Sequence, residues 1–298
     1  MRRYLRRFSF SFSFRQTPAS FFVEELPIFQ PHPKGRYTIL KVRKRGLGTW
    51  EVADILERFF HARVGYAGLK DKNATAIQYF SLDTAKLHKF RHPKIEILAT
   101  YKSAKPLRLG DLGGNRFVIK LGGEVSRVKM EKALEILSHE GIPNYFGYQR
   151  FGSDALRQAK AMVEGEYFPK DRRWQRYLYS VWQSHLFNMW LAERVEMSEG
   201  VFRELPGDIY DEQGVVTGLL PGRGVAKATK AARVIERRYD MRLPVPGFRR
   251  AALMFPRDWH VGSWDGGVEL GFTLPKASYA TIVLENLLGS ELDYKGTR

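Results

Sequence analysis

The order of textures along the chain constrains its fold more than any single motif. Short β-forming runs dominate roughly the first 150 residues, helical and loop signals fill about 155–245, and β texture returns in the last fifty or so. Two β-rich pieces separated by a stretch of different character predict one sheet domain interrupted by an insertion. The expected class is α+β, a mixed and mostly antiparallel sheet flanked by helices, with an inserted α/β domain. The interrupted domain is read as 1–154 plus 247–298, and the insertion as 155–246. Strands and helices interleave irregularly, without the strand-helix-strand rhythm of a dinucleotide-binding fold.

Phe8, Phe10, Phe12 and Phe14 alternate with serines and an arginine, which predicts an opening strand. The same alternation denies the N-terminus the unbroken apolar stretch of a signal peptide. Further strands are predicted at Arg36–Lys44, Gln78–Leu82, Ile95–Leu98 and Arg116–Leu121. Thr49 is the expected N-cap of a helix that buries Trp50, Ala53, Ile55, Leu56, Phe59 and Phe60. A second helix is expected over 125–139, with Val128, Ala133, Leu134 and Leu137 at helical spacing and Pro143 closing it. Beyond the middle segment, strands are expected at Trp259–Trp264 and Val268–Leu274, then a helix from about Tyr279.

Lys and Arg total 49 against 32 Asp and Glu, a formal charge of +17. Such an excess concentrates polyanions, and nucleic acid is the leading partner because Lys and Arg neutralise its phosphates. There is no cysteine. That excludes disulfides, thiolate metal ligands, iron–sulfur clusters and thiol nucleophiles, and it suits a cytoplasmic protein. No apolar run of about 18 residues marks a membrane helix. The histidines show no His-Glu-x-x-His spacing, and neither a P-loop nor a strand-linked Gly-x-Gly-x-x-Gly is present, so no metal or other cofactor is expected.

Two segments gather polar groups beside glycines and aromatic rings. In Gly65-Tyr66-Ala67-Gly68-Leu69-Lys70-Asp71-Lys72-Asn73-Ala74 an aspartate lies between two lysines. In Pro143-Asn144-Tyr145-Phe146-Gly147-Tyr148-Gln149-Arg150-Phe151-Gly152, groups able to read base edges alternate with rings able to stack on bases. Taken alone, the first reads as a surface loop with compensating charges, and the second as a buried aromatic corner.

Together these segments resemble the signatures of the TruD family of tRNA pseudouridine synthases. Val23-Glu24-Glu25, Gly46-Leu47-Gly48-Thr49, Leu107-Arg108-Leu109-Gly110, Gly114-Asn115-Arg116-Phe117, Gln183-Ser184-His185-Leu186-Phe187-Asn188 and Ser278-Tyr279-Ala280-Thr281 fall in the family's order, so the resemblance covers nearly the whole chain. It implies isomerisation of uridine to pseudouridine in tRNA, typically at position 13 of the D arm, without a cofactor. It further implies a mixed sheet interrupted by a family-specific insertion, with Asp71 as the catalytic carboxylate and RNA in a basic cleft. Arg15 matches a basic family position and is expected to pair with Asp71. Phe146 is expected to stack on the flipped base, and Asn144 to support the catalytic loop or bind RNA. Lys70, Lys72, Gln149 and Arg150 are candidate RNA contacts. The expected partner is tRNA, with no obligate protein partner. The family's usual Pro-Glu-Asp-Phe is here Pro18-Ala19-Ser20-Phe21, which removes two acids near Arg15. A catalytically idle RNA-binding protein on the same scaffold is the alternative, and the intact Gly68-Leu69-Lys70-Asp71 argues against it.

Overall fold

The computed structural model describes residues 3–84, 87–152 and 154–292. Positions 1–2, 85–86, 153 and 293–298, which belong to the sheet domain outlined from sequence, lie outside the described residues. In chain order the first elements are β1 (Phe21–Pro27), β2 (Tyr37–Arg45), α1 (Thr49–Phe60), β3 (Val64–Tyr66), β4 (Thr75–Leu82), β5 (Ile95–Ser103) and β6 (Leu112–Gly122). Next come α2 (Arg127–Glu140), β7 (Ile142–Pro143), α3 (Ala155–Val163), α4 (Arg172–Glu196), β8 (Ile209–Tyr210) and β9 (Val216–Leu220). The last are α5 (Lys230–Glu236), β10 (Phe248–Ala251), β11 (Leu253–Met254), β12 (Arg257–Trp264), β13 (Gly267–Pro275) and α6 (Ala280–Leu288).

One compact unit comprises Ser11–Leu134 and Pro256–Ala277. Its sheet runs β12-β13-β6-β1-β4-β2-β5, with β3 paired to β4 off this path. Only the β1–β4 pair is parallel, so the sheet is mixed and mostly antiparallel. Every residue of β4 is buried, which is why Thr75–Leu82 lacks the alternation of a half-exposed strand. Helix α1 lays Val52, Ala53, Leu56 and Phe60 against Leu40, Val42, Phe80 and Leu82. Trp50 and Phe59 depart from expectation, being 68% and 39% exposed. The buried positions 49, 52, 53, 56 and 60 form one stripe at helical spacing, and those two residues fall beside it. The N-cap is Gly48, not Thr49, and the Glu51 carboxylate accepts from the Gly48 N–H at 2.6 Å.

The opening Phe–Ser alternation forms no strand. Residues 8–14 contribute a single bridge, Ser13 to Gly122. Alternation supplies a suitable face but not a partner edge: β1 occupies β6 from Leu112 to Ile119 and β13 takes the other edge, which leaves residues 8–14 only the Gly122 end. Val128 is likewise exposed, and Met130 takes the buried position in α2. That helix ends at Glu140 ahead of Gly141 at φ 81°, three residues or so before the proline expected to close it.

The second compact unit comprises the stretch up to Phe10, Glu135–Phe255 and Ser278–Leu292. Ala155, Ala159 and Met162 of α3 pack on Leu178 and Val181 of α4. A small antiparallel sheet, β10-β9-β8, belongs to this unit. Compactness therefore divides the chain at positions other than 154/155 and 246/247. The reason is local: β7 pairs with β11 through Leu253–Pro143 and Met254–Ile142, tying both sides of the middle segment together.

Candidate active site

Asp71 follows β3 on the loop that leads into β4, and four polar side chains fasten this loop. Gln78 Nε2 donates to the Gly68 oxygen at 2.6 Å. Thr49 Oγ1 accepts from the Lys70 N–H at 2.8 Å and donates to Gln78 Oε1 at 3.1 Å. Lys44 Nζ donates to the main-chain oxygens of Asp71 at 2.8 Å, of Lys70 at 3.3 Å, and of Leu47. Glu25 receives Lys70 Nζ at 2.8 Å and the Tyr79 N–H at 3.1 Å. A Cβ at position 68 would lie 2.7 Å from Glu25 Oε1 and 2.8 Å from Lys70 Nζ, so any larger residue there would have to displace this ion pair. Lys44 has no exposed surface, and burial pushes its ammonium down to about 8 against the opposing pull of Asp71.

The Asp71 side chain itself is exposed, so a rigid backbone presents an accessible carboxylate. Its Oδ2 accepts from Gln16 Nε2 at 3.2 Å. Arg15 does not make the expected ion pair. Its main-chain oxygen accepts from Ser20 Oγ, and among the described residues no salt bridge joins it to Asp71. Ser20 and Thr17 close this turn through a 2.9 Å hydroxyl contact, which puts Gln16 and not Arg15 on the aspartate. Lys70 also departs from expectation. Its side chain is 5% exposed and paired with Glu25, so its ammonium faces the interior instead of a phosphate. Lys72 is exposed and shares its charge with Glu51 at 3.1 Å.

Asn144, Phe146 and Arg150 lie in the second unit, where Arg250 organises the first two. Arg250 Nε and Nη2 donate to the Asn144 oxygen at 3.1 and 2.9 Å, and Nη2 donates to Asn144 Oδ1 at 2.8 Å. Asn144 Nδ2 reaches the Ala251 oxygen at 3.2 Å. Both ends of this buried amide are thus engaged in holding the segment, which favours the supporting role over RNA contact. The Arg250 guanidinium also lies over the Phe146 ring, 3.9 Å from its centroid. Burial pushes Arg250 down to about 10, partly offset by Tyr279. Phe146 is 9% exposed and meets Phe187 and Tyr279 edge-on. Asn188 clamps its backbone, accepting from the Phe146 N–H at 2.8 Å and donating to its oxygen at 3.0 Å. A Cβ on Gly147 would lie 2.9 Å from the Tyr279 ring, so this close approach requires glycine. Gln149 is exposed, and Arg150 Nε donates to Ser184 Oγ at 3.1 Å.

Sequence reasoning named no role for Lys44, Gln16, Arg250, Asn188 or Tyr279. Asn188 and Tyr279 stand inside segments that carried the family resemblance, so their places were visible while their partners were not. Lys44 and Arg250 read as two more cations in a basic chain, and nothing local marks them as buried.

The fold is shared with a crystal structure from Methanosarcina mazei assigned as tRNA pseudouridine synthase D, at a TM-score of 0.70 and 23% identity, covering 98% of this chain and 97% of that one. The family model described as tRNA pseudouridine synthase D (TruD) matches residues 8–168, which include both Asp71 and the Asn144–Gly152 segment. A tRNA pseudouridine synthase D from a Nitratiruptor species is 35% identical over 93% of this chain and 94% of its own length. Another, from Wolinella succinogenes, is 33% identical over 97% of this chain and 98% of its own. The chain belongs to the TruD family of tRNA pseudouridine synthases. Among the described residues no helix is long and apolar enough to cross a membrane.

Proposed function

We propose that this protein isomerises uridine to pseudouridine in tRNA, at position 13 of the D arm, with Asp71 as its catalytic group. The observation that carries the reading is an exposed carboxylate on a loop whose backbone is fastened by Lys44, Thr49 and Gln78. The reaction breaks the C–N glycosidic bond, turns the base and rejoins it through carbon, with no net redox change and no water consumed. A carboxylate serves by attacking the sugar or the base, or by taking the sugar C2′ proton. Each of these routes runs on that one group without metal or coenzyme. The target base must leave its stack to reach the site, and water must be kept from the cleaved intermediate. The charge of +17 supplies the attraction for tRNA. Residues 155–246 are proposed as the family's inserted domain, the cytoplasm as the place of action, and tRNA as the one partner required.

The test is to incubate the pure protein with an unmodified tRNA transcript and map pseudouridine, with Asp71→Asn alongside. Pseudouridine in the D arm from the wild type alone supports both the reaction and the role. Modification by both proteins removes Asp71 from that role. If neither modifies several tRNAs yet both bind them, the protein is an RNA binder on this scaffold.

A further inference from the structure

Arg150 joins two aromatic systems in the second unit. Its guanidinium carbon lies 5.9 Å from the Phe146 ring centroid and 5.7 Å from that of Tyr177. Tyr177 stacks on Trp174, with centroids 4.9 Å apart and planes 25° from parallel. The two rings are three residues apart and so share one face of α4. Phe146, Arg150, Tyr177 and Trp174 therefore form a continuous ladder, from a ring only 9% exposed to one 37% exposed. Planar cations alternating with rings are the surface on which successive bases stack.

The charges beside the outer end are placed against the helix's own preference. Arg172, Arg173 and Arg176 occupy the first turns of α4 and are exposed; the N-cap Asp171 accepts from the Arg173 N–H at 2.7 Å, and the first turn itself holds no acidic residue to pair with them. Cations at a helix N-terminus oppose the macrodipole and lower stability. Neighbouring cations are neutralised: Arg157 pairs with Asp154 at 2.7 Å and Lys160 with Glu164 at 3.7 Å. Among the described residues, none of the three α4 guanidinium groups has such an ion pair. An arrangement unfavourable to the free helix is compensated when a polyanion is bound.

We propose that this face of α4 is a tRNA-binding surface continuing from Phe146, with the sugar–phosphate backbone against Arg172, Arg173 and Arg176 and an unpaired base stacked on Trp174. The proposal rests on tRNA being the substrate and does not depend on the Asp71 chemistry. A ring ladder beside unpaired guanidinium groups matches a chain of bases and phosphates in both its parts. An acidic peptide would use the charges and leave the ladder without a function.

The test measures tRNA affinity against salt for the full-length protein, with binding read by anisotropy so that turnover plays no part. Replacing Arg172, Arg173 and Arg176 together by Gln should raise Kd at least about ten-fold at low salt and reduce the slope of log K on log salt by about 2 to 3. The same variant should melt at an equal or higher temperature, because the helix end is relieved of its cations. Trp174→Ala should raise Kd about 5-fold or more with the slope unchanged. Affinity and slope unchanged in both variants would overturn the proposal. A loss of affinity accompanied by a lower melting temperature in the arginine variant would also overturn it, since the arginines would then be structural. If the wild type forms no pseudouridine while this binding pattern holds, the enzymatic reading fails and the surface stands.

Discussion

Lys44 holds Asp71 by the backbone and not by the carboxylate: its ammonium lies 2.8 Å from the Asp71 main-chain oxygen. The same group reaches the Lys70 oxygen at 3.3 Å, so two consecutive peptide units of the loop hang on one buried side chain. Lys44→Met keeps the length of the stem and leaves these oxygens without their donor. It is expected to lower stability by about 2–4 kcal/mol through unpaired buried acceptors. Turnover should fall about 10- to 100-fold, since small misplacements of a reacting group carry losses of that order. Urea unfolding and single-turnover kinetics check the two effects separately. Normal turnover in a folded variant would show that the loop keeps its place without Lys44.

The same lysine gives stability a pH dependence of definite sign. Burial lowers its folded value to about 8 from the 10.5 of a free lysine, and the groups acting on it are Asp71, Lys70 and Glu51. Between these values the unfolded chain binds more protons than the folded one, so this group's contribution to stability rises with pH. Below about 8 the cost of burying the ammonium is fully present. The stability difference between wild type and Lys44→Met should therefore widen as pH passes from about 8 toward 10.5. A difference that stays flat over this range would show that Lys44 titrates alike in both states.

Gln16, and not Arg15, is the neighbour that touches the Asp71 carboxylate, at 3.2 Å. Gln16→Ala should reduce kcat modestly, about 3- to 10-fold, the worth of one long, solvent-exposed hydrogen bond of about 0.6–1.4 kcal/mol. Gln16→Glu sets a second anion beside the first and should reduce it further. Arg15→Ala should have the smaller effect of the three. Steady-state kinetics on one tRNA transcript decide the order. A large loss with Arg15→Ala and none with Gln16→Ala would restore the ion pair expected from sequence.

Much of the sheet was legible because its strands are bounded by glycines and prolines and carry β-branched or aromatic residues. The positions of β2, β4, β6, β12 and β13 follow from such runs. What a local pattern cannot supply is the partner. Residues 8–14 alternate as a strand should, yet β1 and β13 leave them only the Gly122 end of β6 to pair with. Trp50 and Phe59 are apolar and sit one step off the buried stripe of α1. The site divides in the same way. Asp71 and the Asn144–Gly152 segment could be picked out by motif, while burial decided which of the surrounding cations face solvent. Lys70 and Lys72 flank the same aspartate, and only the fold sends one inward to Glu25 and leaves the other in solvent.

Phe146 is packed too tightly for Phe146→Ala to be a clean test of stacking, since that change also opens a cavity, at about 3–5 kcal/mol. Phe146→Leu keeps most of the volume and should lower stability less than Phe146→Ala does, although it gives up the ring's contact with Arg250. If the ring stacks on the flipped base, the variant should lose about 1–3 kcal/mol of RNA interaction, read as kcat/KM for tRNA. Arg250→Lys addresses the support behind it. A lysine cannot reproduce the fork that grips Asn144 at 2.8 and 2.9 Å while covering the Phe146 ring. Its main effect should be on stability, by about 2–4 kcal/mol. Unchanged kinetics for Phe146→Leu would take the ring out of base recognition and leave it as packing.

The Glu25–Lys70 pair separates rigidity of the loop from charge near Asp71. Both side chains are almost fully buried, at 1% and 5% exposure, and 2.8 Å apart. Removing one partner strands the other as an uncompensated buried charge, so Glu25→Gln or Lys70→Met alone should cost about 3 kcal/mol or more. Removing both leaves no stranded charge, and the glutamine oxygen can still accept from the Tyr79 N–H. The double variant should therefore lose far less than the two single losses added, a coupling of at least about 2 kcal/mol in a double-mutant cycle. Its turnover should also recover relative to either single variant, because Lys44, Thr49 and Gln78 still hold the loop backbone. Strict additivity in urea unfolding would show that the pair contributes nothing as a pair. Recovery of stability without recovery of turnover would instead mean that the Lys70 charge acts on the reaction from its buried place beside Asp71.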